Sequence, residues 1–105
     1  MELKDYQILV DKTLKKLADA VDEMDRDDLD LNEGAGKLVI ETDDGTPFII
    51  NRQSAAMQIW LAEPGGGWHF NHSNGQWLCD KRGISLFEAV EQALSKKFSA
   101  EIKLS

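Results

Sequence analysis

One cysteine, two prolines, one tyrosine and two histidines in 105 residues leave most site chemistry without material. Cys79 has no partner for an internal disulfide, and His69 and His72 have only that thiol to join them. A redox pair or a structural zinc site is therefore not expected. No apolar run approaches the roughly 18 residues of a membrane span. The opening MELKDYQILV has no basic segment followed by an apolar one, so no secretion signal is expected and a cytoplasmic location is. Bases are scarce as well: 12 Lys and Arg stand against 19 Asp and Glu, a net charge of -7. Such a surface repels a phosphate backbone, so nucleic acid is not an expected partner, and with no spanning run neither is a membrane; a basic protein or a metal cation is. A chain of this length supports one two-layer core, read as a single domain over 1–105, without two lobes around a deep cleft.

The acids are unevenly placed. Residues 1 to 44 hold 14 acids and 6 bases, net -8, while 45 to 105 hold 5 acids and 6 bases, net +1. Asp19, Asp22, Glu23, Asp25, Asp27, Asp28, Asp30 and Glu33 fall in fifteen residues whose only base is Arg26.

Leu3, Tyr6, Val10, Leu14, Leu17, Val21 and Met24 recur at spacings of three and four, which predicts an amphipathic helix from residue 3 to about 25. Its polar face is mixed at first and wholly acidic at the end. Acids at i,i+4, such as Asp19 and Glu23, repel one another, and the helix C-terminus is already its negative pole. Selection for stability alone would not place them there.

The period then changes to two. Short strands are expected at Leu29–Asn32, Lys37–Thr42, Thr46–Asn51, Met57–Ala62, Trp68–Asn71 and Gln76–Cys79, with turns at Asp43-Asp44-Gly45 and Asn74-Gly75 and a Pro64–Gly67 loop. Strands this close must pair as an antiparallel meander. Ser85 and Glu88 form a capping box ahead of a second helix of about 13 residues carrying Leu86, Val90, Ala93, Leu94 and Phe98. From Ser99 onward a short mobile tail is expected. The fold class is α+β: a two-layer α-β sandwich with two helices on one face of an antiparallel sheet of about six strands.

One sheet face is left open. Alternation groups Phe48, Ile50 and Arg52 against Ile49, Asn51 and Gln53, and Met57, Ile59 and Leu61 against Gln58, Trp60 and Ala62. The less apolar set turns away from the helices and places Trp60 on the open face among Asn51, Gln53 and Gln58. A tryptophan ringed by amides suits a protein-binding hot spot, or a ring folded down to shield the sheet.

Ile50-Asn51-Arg52-Gln53, then Gln58-Ile59-Trp60-Leu61-Ala62, a glycine loop, His69-Phe70, Trp77 and Gly83-Ile84-Ser85-Leu86 resemble the frataxin family in its bacterial CyaY form, through nearly the whole chain. The resemblance implies an α-β sandwich and a role in iron-sulfur cluster assembly as an iron donor or sensor that docks on cysteine desulfurase and modulates it. It implies weakly bound iron, Fe2+ or Fe3+, on a ridge at the matching positions Asp19, Asp22, Glu23, Asp25, Asp27, Asp28 and Asp30. It also implies an interface with the desulfurase and the iron-sulfur scaffold complex through Asp19, Asp22 and Glu23, and through Asn51, Arg52, Gln53, Gln58, Trp60 and His69. A monomer is expected, with iron-promoted oligomers left open. Two positions depart from the pattern: Met24 stands where some members have an aromatic, and Asn71 where an Asp follows the His-Phe pair.

Carboxylate oxygens suit a hard cation, and on a solvated surface they leave several waters on the metal, so binding is expected to be weak and exchangeable. Other divalent cations fit the same oxygens. An EF-hand loop begun at Asp22 puts Glu33 twelfth, but Met24 and Arg26 occupy ligand positions and Asp27 stands at the required glycine. No catalytic residue is expected: Ser85 is a cap, Ser54 and Ser73 lie in loops, and solvated acids do not split their pKa values. Cys79, alternating with Trp77, reads as a core thiol. Two other functions remain open, an iron oxidase (ferroxidase) using the same acids and an acidic interaction module with incidental metal binding.

Overall fold

The computed structural model describes residues 1–81 and 83–104. The first helix, α1 (Leu3–Asp22), buries Tyr6, Val10, Leu14, Leu17, Ala18 and Val21. The second, α2 (Leu86–Phe98), buries Leu86, Ala89, Val90, Ala93 and Leu94. Between them run β1 (Leu29–Gly34), β2 (Lys37–Thr42), β3 (Pro47–Gln53), β4 (Gln58–Glu63), β5 (Gly66–Ser73) and β6 (Gln76–Cys79). They form one antiparallel sheet in the order β1-β2-β3-β4-β5-β6. One parity of this meander, from Leu38 and Ile40 through Phe48, Ile50, Ile59, Leu61, Trp68 and Phe70 to Trp77 and Cys79, joins both helices in a single hydrophobic cluster. The expected two-layer α+β sandwich, with both helices on one face, is what these stripes build.

Local chemistry sets the joints. At the start of α2 the Glu88 N–H donates to Ser85 Oγ at 3.2 Å and the Ser85 N–H to Glu88 Oε1 at 3.4 Å, completing the expected capping box. Asn74 (φ 51°) and Gly75 (φ 79°) both sit in the left-handed region, as a two-residue hairpin between β5 and β6 demands. Tyr6 ties the layers together: its hydroxyl donates to the Gln58 carbonyl at 2.5 Å and accepts from the Gln53 N–H at 3.1 Å, holding the facing ends of β3 and β4.

Three expectations are corrected. The first helix stops at Asp22 rather than near residue 25, because its last turn carries no base and tightens: the N–H groups of Met24 and Asp25 reach back only three residues, to Val21 and Asp22, before Asp25 reverses the chain at φ 51°. The Pro64–Gly67 loop is shorter than expected, since Gly66 already pairs with Glu63 and only Pro64 and Gly65 turn the hairpin. The tail after Ser99 is not a loose end. Ile102 and Leu104 are buried in the common core. Their N–H groups donate to Ser95 Oγ at 3.0 Å and to Glu91 Oε2 at 2.8 Å, so α2 supplies both the seat and the hydrogen bonds.

Candidate functional site

Two surfaces gather the residues expected to act. The first is the ridge where α1 runs out and β1 begins. Asp19 and Asp22 lie on the last turns of α1, Glu23 caps it, Asp25 and Asp27 occupy the connection, and Asp30 points out from β1. Not all of these carboxylates are equally available. Asp19 pairs with Lys15 at 3.2 Å, and this contact, reinforced by the charges of Asp19, Glu33 and Asp22, raises the Lys15 ammonium above its ordinary pKa. Asp28 is claimed by Arg26, which donates to it twice, at 2.9 and 2.7 Å, and holds the carboxyl below its usual range. The same guanidinium lies 4.0 Å over the Phe98 ring, so Arg26 and Asp28 fasten the connection to the end of α2.

Asp22, Glu23, Asp25, Asp27 and Asp30 are exposed and enter no side-chain hydrogen bond or ion pair among the described residues. Also among the described residues, no group of three or more His, Cys, Asp or Glu side chains is arranged to hold a metal ion. A cation taken here would be held by one or two carboxylates at a time and keep most of its water. Met24 turns inward against the core, so an apolar side chain suffices there.

The second surface is the open face. Lys37, Asn51, Trp60 and His69 stand in one cross-strand row, and Gln53, Gln58, Asn71 and Leu78 in the next. Trp60 is half-buried and lies flat against His69, ring centroids 4.2 Å apart and planes 10° from parallel. Its indole N–H donates to Gln58 Oε1 at 2.8 Å. Alternation thus places Trp60, Asn51, Gln53 and Gln58 together as expected, and the pairing of β4 with β5 sets His69 beside Trp60. Arg52 is not among them. It shares the parity of Phe48 and Ile50, crosses Gly36 on the helix side and points its Nη1 toward Asp11 of α1 at 3.8 Å. A Cβ on Gly36 would meet Arg52 Cδ at 2.5 Å, so only glycine admits this path.

Sequence reasoning leaves out Asp80, although the parity of Gln76 and Leu78 carries one residue past β6 onto the same face. The Asp80 N–H donates to the His69 carbonyl at 3.2 Å and its carboxylate accepts from Asn71 and from Gln58.

An acidic ridge and a tryptophan-bearing open face on this meander are the arrangement that the residue pattern implied, and the profile described as Frataxin-like domain matches residues 1–100. The chain belongs to the frataxin family. Two bacterial relatives carry the name iron-sulfur cluster assembly protein CyaY. That of Vibrio cholerae is 36% identical over 96 residues, 91% of each chain. That of Pseudomonas fluorescens is 37% identical over 98 residues, 91% of this chain and 88% of its own. Among solved structures, the frataxin of Psychromonas ingrahamii superposes with a TM-score of 0.91 at 27% identity, over 100% of this chain and 99% of that one. A trimeric frataxin from the yeast Saccharomyces cerevisiae, described as complexed with ferrous iron, gives a TM-score of 0.74 at 29% identity over 87% and 86% of the two chains.

Proposed function

We propose that this frataxin serves iron-sulfur cluster assembly, the role that its CyaY relatives carry in their names. In this reading it carries or senses iron on the acidic ridge, and it docks on cysteine desulfurase through that ridge and the Trp60 face, modulating sulfur delivery. The observation that carries the reading is a run of exposed carboxylates without side-chain partners among the described residues, Asp22 and Glu23 at the negative end of α1 and Asp25, Asp27 and Asp30 following along the connection and into β1. That placement costs helix stability and is explained by attraction of something positive.

A labile, water-rich site suits iron that must be passed on, and the ferrous complex of the yeast family member supports iron as the cation. The metal is cargo in this scheme, moved by exchange of one or two carboxylates for a recipient's ligands. The desulfurase would meet the same acids with a basic surface, so that free iron and the enzyme compete or cooperate at one place. Long-range attraction by this ridge raises the rate of encounter and falls with salt.

Reversing two charges, Asp22→Lys with Glu23→Lys, should weaken binding to purified desulfurase by about tenfold or more at low ionic strength and by less at high salt. Calorimetry or surface resonance at two salt concentrations measures this. Equal affinity of the double variant and the parent protein at low salt contradicts the proposal.

A further inference from the structure

We propose that Asp80 is a positioning residue for Trp60, acting through Asn71 and Gln58, an inference that rests on the reading of the open face as a docking surface. Trp60 donates its indole N–H to Gln58 Oε1 at 2.8 Å. Gln58 donates its own amide to Asn71 Oδ1 at 3.1 Å and to Asp80 Oδ2 at 3.5 Å. Asn71 in turn donates to Asp80 Oδ1. Asn and Gln side chains can be turned end for end at little cost, so a row of amides alone has no preferred direction. The two ends break that tie in the same sense, because the indole N–H only donates and the carboxylate only accepts, so Asp80 locks from its side the orientation that Trp60 needs. With Asp80 at the end of the row, Asn71 must present its NH2 to it and its oxygen to Gln58. Gln58 must then present NH2 to Asn71 and oxygen to Trp60.

The backbone closes the circuit, since Asp80 pairs its N–H with the carbonyl of His69, the residue against which Trp60 is stacked at 4.2 Å. Trp60 is therefore held at its ring and at its nitrogen by a set anchored on β5 and the residue after β6. With its N–H already satisfied inside the protein, the indole offers a partner its ring surface and not a donor. A side chain held this way loses little rotamer freedom on docking.

The test uses the full chain with 15N-labelled tryptophan, whose three indole N–H signals report Trp60, Trp68 and Trp77 separately. Asp80→Ala should shift the Trp60 signal and leave the other two in place with an unchanged melting temperature. Asn71→Ala should move the same signal, and Asp80→Glu should restore it in part. Asp80→Ala should also lower affinity for the desulfurase by about threefold or more in the parent protein, and by nothing further in a Trp60→Ala background, because the two residues act as one unit. A Trp60 signal indifferent to Asp80→Ala overturns the inference. If the signal moves as expected while the parent protein itself fails to bind the enzyme, the positioning network stands and the docking reading falls.

Discussion

Lys97 Nζ lies 2.5 Å from Asp44 Oδ2, a contact between residues 53 positions apart that joins the end of α2 to the β2–β3 turn. Asp44 also accepts from the Thr42 hydroxyl at 2.6 Å and from the Thr46 N–H at 3.1 Å. Lys97 first, and then the two threonines, hold this carboxyl well below the usual carboxylate range. A carboxyl whose folded-state pKa lies below the unfolded value of about 3.9 stabilises the protein fully above that value, and the contribution drains away as pH falls below it. The Arg26-bound Asp28 has the same sign. Denaturant melts between pH 2 and 7 should therefore show the parent protein losing stability below about pH 4. Asp44→Asn should be less stable than the parent at neutral pH and show a shallower acid decline. Parallel pH profiles for the two proteins would contradict the role given to Asp44. The pair was not legible in the sequence, because a turn acid and a helix lysine meet only through the packing of α2 on the sheet.

At the scale of elements, the parts with many regularly spaced apolar residues were readable and the parts with few were not. The α1 stripe, the Ser85–Glu88 box, the Asn74-Gly75 hairpin and the two-residue parity that turns Trp60 outward all repeat a local rule several times or combine two rules. The tail has only Ile102 and Leu104, one alternation, which fits an idle end as well as a buried one. Its burial follows from where α2 ends and from Ser95 and Glu91 waiting on that helix. Truncating a buried leucine costs about 2 to 5 kcal/mol. Leu104→Ala should accordingly lower the midpoint of urea unfolding clearly, by the lower part of that range given its place at a chain end. A midpoint shift too small to measure would return the tail to the status of a loose end. The end of α1 is hidden in the sequence for a similar reason: Met24 continues the stripe and still packs on the core, but it does so from outside the helix.

Across the whole molecule, charge and side-chain chemistry are divided between two surfaces that the fold brings onto one body. The ridge is acidic and wet, and the open face is flat, amide-rich and centred on a held indole. Both surfaces could be found from sequence, the first by counting charges and the second by alternation. What each acid does could not. Arg26 and Lys15 withdraw Asp28 and Asp19 into ion pairs, and Arg52 leaves the Trp60 face for Asp11. Neither surface resembles a deep site, and both suit contact with something larger or something transient.

The most direct measurement is an amide-resolved NMR titration of the labelled protein, with Fe(II) under nitrogen and, separately, with purified cysteine desulfurase. Iron should perturb residues 19 to 33 and spare the open face, most strongly at Asp22, Glu23, Asp25, Asp27 and Asp30. The enzyme should broaden the ridge together with the strand row of Asn51, Trp60 and His69. Iron shifts scattered away from the ridge, or a spectrum that the enzyme leaves unchanged, would contradict the proposed function while leaving the frataxin fold as it is described.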